Sequence, residues 1–120
     1  MRNLITLILR RNHHIVRQAG TPEEAERICQ EHSTDLLVAD VNLSDCRSGT
    51  DFALRLIQVQ PKIKCLFISG LPVENWTERD RHNIAKIPDG SRAVLCKPIY
   101  PDSLLKSIDD LLANRESAET

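Results

Sequence analysis

The chain has 120 residues, enough for one domain of ordinary size. Apolar residues make up 41% and charged residues 28%, a composition that folds and stays in solution. The 16 Lys and Arg against 17 Asp and Glu leave a formal charge of −1, so no basic excess exists to displace counterions from nucleic acid or an anionic membrane.

No apolar run approaches the ~20 residues of a membrane span. The N-terminus lacks the small-residue cleavage site of a secretory signal, and a cytoplasmic protein is expected.

The first apolar stretch, Leu4-Ile-Thr-Leu-Ile-Leu9, has two readings. As a strand it would leave only residues 10–14 as a crossover to the next strand candidate, whereas a parallel connection needs about 10–12 residues. The spacing therefore favours a helix. His13-His14 follow with no Cys, His or acid at ligand spacing, and read as solvent-facing histidines at its end. Ile15-Val-Arg-Gln18 is a weak strand candidate.

Thr21-Pro-Glu-Glu24 spells an N-terminal capping box with proline at the first helical position. It opens a helix to about Glu31 with Ala25, Ile28 and Cys29 inward. Leu36-Leu-Val-Ala39 is short, apolar and unalternating, the pattern of a strand buried on both faces.

Thr50–Gln60 carries Phe52, Ala53, Leu56 and Ile57 at helical spacing and stops at Pro61. Cys65-Leu-Phe-Ile68 and Ala93-Val-Leu-Cys96 are further strands. Between them residues 73–86 read as a short or irregular helix. Pro101 to about Ala113 has a full apolar stripe through Leu104, Leu105, Ile108, Leu111 and Leu112. A polar tail, 114–120, ends the chain after a domain of residues 1–113.

Four cysteines (Cys29, Cys46, Cys65 and Cys96) contain no C-x-x-C pair. Cys65 and Cys96, inside strand-like runs, read as small hydrophobes.

Strands alternating with helices predict an α/β fold with a mostly parallel sheet and helices on both faces. In such sheets chemistry sits beyond the carboxyl ends of the strands. The three strands end in Asp40, Ser69-Gly70 and Lys97-Pro98, so a carboxylate, a hydroxyl and an ammonium are expected on one rim. A carboxylate can attack a phosphoryl group, and a cation and a donor on the equatorial oxygens supply most of the remaining catalysis.

Those residues, with the Thr21-Pro-Glu-Glu-Ala helix start, resemble the receiver domain of two-component response regulators over about Leu4 to Leu112. The resemblance implies a flavodoxin-like three-layer α/β/α fold. It implies that Asp40 accepts a phosphoryl group from a histidine kinase or phosphotransfer protein, with Ser69 and Lys97 on the phosphoryl oxygens. Mg²⁺ would be held by Asp40 and the backbone carbonyl of Asn42, and the Lys97–Pro98 bond would be cis. Gly49 resembles the family's loop glycine, one residue later than is common. The result is a signalling switch rather than an enzyme, acting through a changed protein-binding surface, with no nucleic acid or membrane partner.

The chain departs from the pattern at its start. Receivers open with a strand ending in two acids that hold Mg²⁺; here no Asp or Glu precedes Glu23. The sheet is expected to lack its usual first strand, from a degenerate receiver or a reading frame that starts further upstream. That loss should leave an edge inviting homodimerisation and a metal site that is weak or absent, although Asp45 could swing in. Val94 stands where the family often has an aromatic, three residues before the lysine, and Tyr100 is no obvious substitute.

Two other readings compete. One is a pseudo-receiver that binds partners without phosphorylation. The other is a small Asp-nucleophile phosphohydrolase, disfavoured because Asp40-Val41-Asn42 has an amide where the general acid belongs. Neither G-x-G-x-x-G nor a P-loop motif occurs.

Overall fold

The most uniformly apolar segment becomes the centre of the molecule. In the computed structural model, which describes the backbone of residues 2–41 and 48–118, β2 (Lys64–Ser69) is buried at every position. It pairs in parallel with β1 (Leu36–Asp40) on one side and β3 (Arg92–Cys96) on the other. Alternate β2 side chains leave opposite faces of the sheet. Cys65 and Phe67 join a core with Ala25 and Cys29 of α2 (Pro22–Glu31), Ala53 and Leu56 of α3 (Gly49–Val59) and Ile84 of α4 (Glu78–Ala85). Leu66 and Ile68 join a second core with Ile5, Ile8 and Leu9 of α1 (Arg2–Arg11) and Leu104, Ile108 and Leu111 of α5 (Pro101–Ala118). Helices thus cover both faces of a parallel sheet, the α/β architecture that the alternation predicts and the flavodoxin-like fold that the resemblance implies. No helix of the described residues is long and apolar enough to cross a membrane.

The helix starts follow their local chemistry. Thr21 Oγ1 accepts from Glu24 N–H (3.1 Å) with Pro22 at the first helical position, and Ser48 Oγ accepts from Thr50 N–H at the start of α3. α5 begins at Pro101 and continues to Ala118, beyond the stop expected near Ala113. Residues 73–86 resolve into a 3₁₀ turn (Val73–Asn75) followed by α4.

Leu4–Leu9 is helical, as the crossover argument requires. α1 stops without glycine or proline. His14 N–H donates to Leu9 C=O and His13 N–H to Arg10 C=O, a Schellman closure that puts His13 at φ 69°. Asn12 Nδ2 adds a bond to Ile8 C=O (2.8 Å).

The expected strand at Ile15–Gln18 does not form. Ile15 is 85% exposed, Val16 packs against the α1/α5 core and Ala19 against the α2/α3/α4 core. This segment therefore carries the chain from one helical layer to the other. Two apolar residues followed by Arg17-Gln18 cannot cover two faces, and one carbonyl, that of Val16, accepts from Arg10 Nη2 (3.3 Å). Among the described residues the sheet has three strands with β1 at its edge, and every β1 residue is half-buried.

One residue of α3 packs directly on the end of β1. A Cβ on Gly49 would lie 2.2 Å from Asp40 O and 3.3 Å from Val41 Cα, and Gly49 N–H donates to Val41 C=O (3.0 Å). Backbone cannot yield to that overlap as a flexible side chain would, so only glycine fits. Gly49→Ala is expected to lower the urea-unfolding free energy by about 1–3 kcal/mol, the usual cost of overpacking; an unchanged midpoint would show that the end of β1 gives way freely.

The cysteines divide by position. Cys29 and Cys65 are buried, and burial pushes the Cys65 thiol from 9.0 up to about 12. Cys96 departs from its reading as a small hydrophobe: at the last position of β3 it is exposed. Alkylation of the native protein near pH 8 should therefore modify Cys96 and spare Cys65, as peptide mapping would show. The fold favours the neutral Cys65 thiol, so its contribution to stability is whole below pH 9 and is lost as pH rises toward 12.

Candidate functional site

Parallel pairing sends all three strand ends to the same rim. Asp40 lies opposite Ile68, and Ser69 opposite Cys96. Asp40, Ser69 and Lys97 are thus staggered by one residue per strand. The ladder runs on past them, with Val41 N–H to Ile68 C=O (2.9 Å) and Lys97 N–H to Ser69 C=O (2.8 Å). The Lys97–Pro98 peptide is cis, the isomer that the resemblance implies.

Two of the three expected groups touch. Lys97 Nζ lies 3.0 Å from Asp40 Oδ2, and the side chains are 38% and 32% exposed. A pair with that much access to water contributes at most ~1 kcal/mol, so it opens easily to admit a third charged group.

The third group is placed on the rim but engaged elsewhere. The Ser69 hydroxyl donates to Leu71 C=O (2.8 Å) and accepts from Leu71 N–H (3.0 Å) and from the Trp76 indole N–H (3.1 Å). Trp76 also shares its proton with Leu71 C=O (3.0 Å). Nothing in residue type or spacing ties Trp76 to Ser69; the turn at 70–72 and the 3₁₀ turn bring them together.

A polar cluster beside the rim also escapes a reading of the sequence. Asp80 Oδ1 accepts from the hydroxyls of Ser48 and Thr50. Asn83 Nδ2 donates to Thr50 Oγ1 (3.1 Å) and Asp51 Oδ1 (2.7 Å), and Arg79 Nε lies 3.1 Å from Asp51 Oδ1. Thr50, Asp80 and Asn83 are buried, and their mutual bonds offset the cost of desolvation. Thr77-Glu-Arg-Asp80 spells a capping box, and Thr77 Oγ1 does cap Asp80 N–H (3.1 Å). The Asp80 carboxylate leaves the box, however, to bind the start of α3. α4 is therefore anchored to the helix that presses on Asp40.

Asn42 and Asp45 lie outside the described residues. Among the described residues no group of three or more His, Cys, Asp or Glu side chains could hold a metal ion, and the Asp40 carboxylate is shared with Lys97. Mg²⁺ requires several oxygens in octahedral geometry, and of the residues expected near it only Asp40 is described. Val94 is half-buried against the α2/α3/α4 core, and Tyr100 is 62% exposed.

A family model for the response regulator receiver domain matches residues 1–109. The fold is similar to the CheY-like receiver domain protein of Methanospirillum hungatei, with a TM-score of 0.80, 21% identity, and coverage of 98% of this chain and 88% of that one. It is similar to chemotaxis protein CheY4 of Vibrio cholerae, with a TM-score of 0.74, 22% identity and coverage of 92% and 88%. It is also similar to a Burkholderia pseudomallei response regulator crystallised with a phosphorylated aspartic acid, calcium ion and citrate, with a TM-score of 0.72, 21% identity and coverage of 98% and 64%. Among curated protein sequences none is significantly similar. At such identities the solved structures speak for the fold alone, while the match over residues 1–109 speaks for the family: the chain belongs to the response regulator receiver domains of two-component systems.

Proposed function

We propose that this receiver works as a phosphoacceptor switch, with Asp40 taking a phosphoryl group from a histidine kinase or phosphotransfer protein. The observation that carries the reading is the 3.0 Å contact between Lys97 Nζ and Asp40 Oδ2 at the rim. A carboxylate oxygen attacks phosphorus, the new O–P bond forms as the P–N bond to the donor histidine breaks, and the released imidazole takes up a proton. The Lys97 ammonium then follows the negative charge onto the phosphoryl oxygens, which its exposed, weakly held pairing permits. Ser69 supplies a hydroxyl donor once it leaves Leu71. The phosphoryl group ends on the protein itself, so the output is a changed surface for a protein partner in the cytoplasm and not a released product.

Lys97 and Ser69 are the described groups that meet the charge of the transferred phosphoryl group. Incubation with phosphoramidate and Mg²⁺ should give slow, base-labile labelling, read as the mass of one phosphoryl group. Asp40→Asn should abolish it, and Lys97→Ala should slow it about 10²-fold, the size of effect found on removing one oxyanion donor. Label persisting in Asp40→Asn would remove Asp40 from its role; rapid labelling strictly dependent on Mg²⁺ would overturn the weak-metal reading.

A second reading, a pseudo-receiver acting by protein contact alone, is favoured by the saturated Ser69 hydroxyl. Absence of label from every donor would select it. In either case the β1 edge offers a second copy a strand to pair with. Light scattering at high concentration should show dimers, and a monomer there would discard that interface.

A further inference from the structure

We propose that Trp76 is a latch on Ser69: its indole N–H holds the serine hydroxyl in a bonding arrangement that withholds the hydroxyl proton from a phosphoryl group on Asp40. The proposal rests on the phosphoacceptor reading above and assigns Trp76 as a positioning residue for it.

A serine hydroxyl has one proton to donate and two lone pairs with which to accept. All three are used. The proton goes to Leu71 C=O at 2.8 Å, and the lone pairs take Leu71 N–H at 3.0 Å and Trp76 Nε1–H at 3.1 Å. Ser69 is 1% exposed, so water does not compete for these bonds. To donate to a phosphoryl oxygen, the hydroxyl must give up Leu71 C=O and turn.

A serine that bonds the backbone two residues on is a common local turn, and by itself it would mean little. The indole makes the difference. Trp76 is 6% exposed and sits in the core with Phe67 and Ile84, so it cannot swing aside as a surface side chain would. Its proton is divided between Ser69 Oγ and Leu71 C=O at 3.0 Å. When Ser69 leaves, the indole keeps Leu71 C=O as a full partner, and Leu71, a half-exposed residue, can give its N–H to water. No buried group is orphaned, so the latch has two satisfied states rather than one.

The position of Trp76 connects the latch to the rest of the fold. Its own N–H closes the 3₁₀ turn on Val73 C=O (3.0 Å), and the next residue, Thr77, caps α4. A change in the Ser69–Trp76 bond is therefore delivered directly to the start of α4.

Trp76 is the only tryptophan, so intrinsic emission reports on it alone. The test compares the full chain, Trp76→Phe, and a chain with benzothienylalanine at position 76, which keeps the bicyclic shape but lacks the N–H. Each is treated with phosphoramidate and Mg²⁺ and followed by intact mass. Removing the N–H should speed labelling about fivefold, the factor expected from losing one ordinary hydrogen bond. Emission of the unsubstituted chain should change in step with labelling and stay constant in Asp40→Asn. Equal or slower labelling of the benzothienylalanine chain overturns the latch while leaving the phosphoacceptor reading intact. Full labelling without a change in emission overturns it too, even if both substituted chains fail to fold. Labelling of none of the chains removes the phosphoacceptor reading, and the latch falls with it.

Discussion

A strand buried on both faces commits its neighbours to a direction. β2 has no position open to water, so each face must be covered by helices, and helices that cover a sheet arrive through crossover connections. Crossovers make the neighbouring strands parallel. Parallel strands place their carboxyl ends on one rim, and that is why Asp40, Ser69 and Lys97, far apart in the chain, share it. With either neighbour antiparallel, the Asp40–Lys97 contact could not form.

The rim is built tightly against the backbone and loosely at the charges. Gly49 holds the start of α3 where a methyl group would overlap Asp40 O, so the carboxylate is carried on a rigid support. The Asp40–Lys97 pair itself is open to solvent and can rearrange at small cost. Rigid positions with exchangeable charges suit the phosphoacceptor role proposed for the site.

Two polar links run from this rim to α4. Asp80 binds Ser48 and Thr50 at the start of α3, and Trp76 binds Ser69 just before α4 begins. Thr50 and Asp80 in the first and Ser69 and Trp76 in the second are buried, so solvent competes little for either link while it is made. Both anchor points adjoin the site and tie α4 to it.

Periodicity and punctuation made much of this molecule legible before any coordinates. The strands Leu36–Ala39, Cys65–Ile68 and Ala93–Cys96, the helix cap at Thr21, the helix start at Pro101, and the helical nature of Leu4–Leu9 are all local properties: apolar spacing, a capping hydroxyl, a connection too short for a crossover. The shared rim of Asp40, Ser69 and Lys97 was legible as well, because it depends only on strand order and direction. What tertiary structure alone decided are contacts between segments whose local preferences are silent about each other. Ile15–Gln18 has strand-forming residues, yet it runs from one helical layer to the other because it must join helices on opposite faces. Gln60, which reads as a helix-ending polar residue, closes the end of α2 by donating to His32 C=O (2.8 Å) and accepting from Thr34 N–H (2.9 Å). Asp80 belongs by pattern to a helix cap but bonds across to α3. Trp76 meets Ser69 through two successive turns. A side chain's partners depend on where distant backbone comes to rest, and residue spacing carries no information about that.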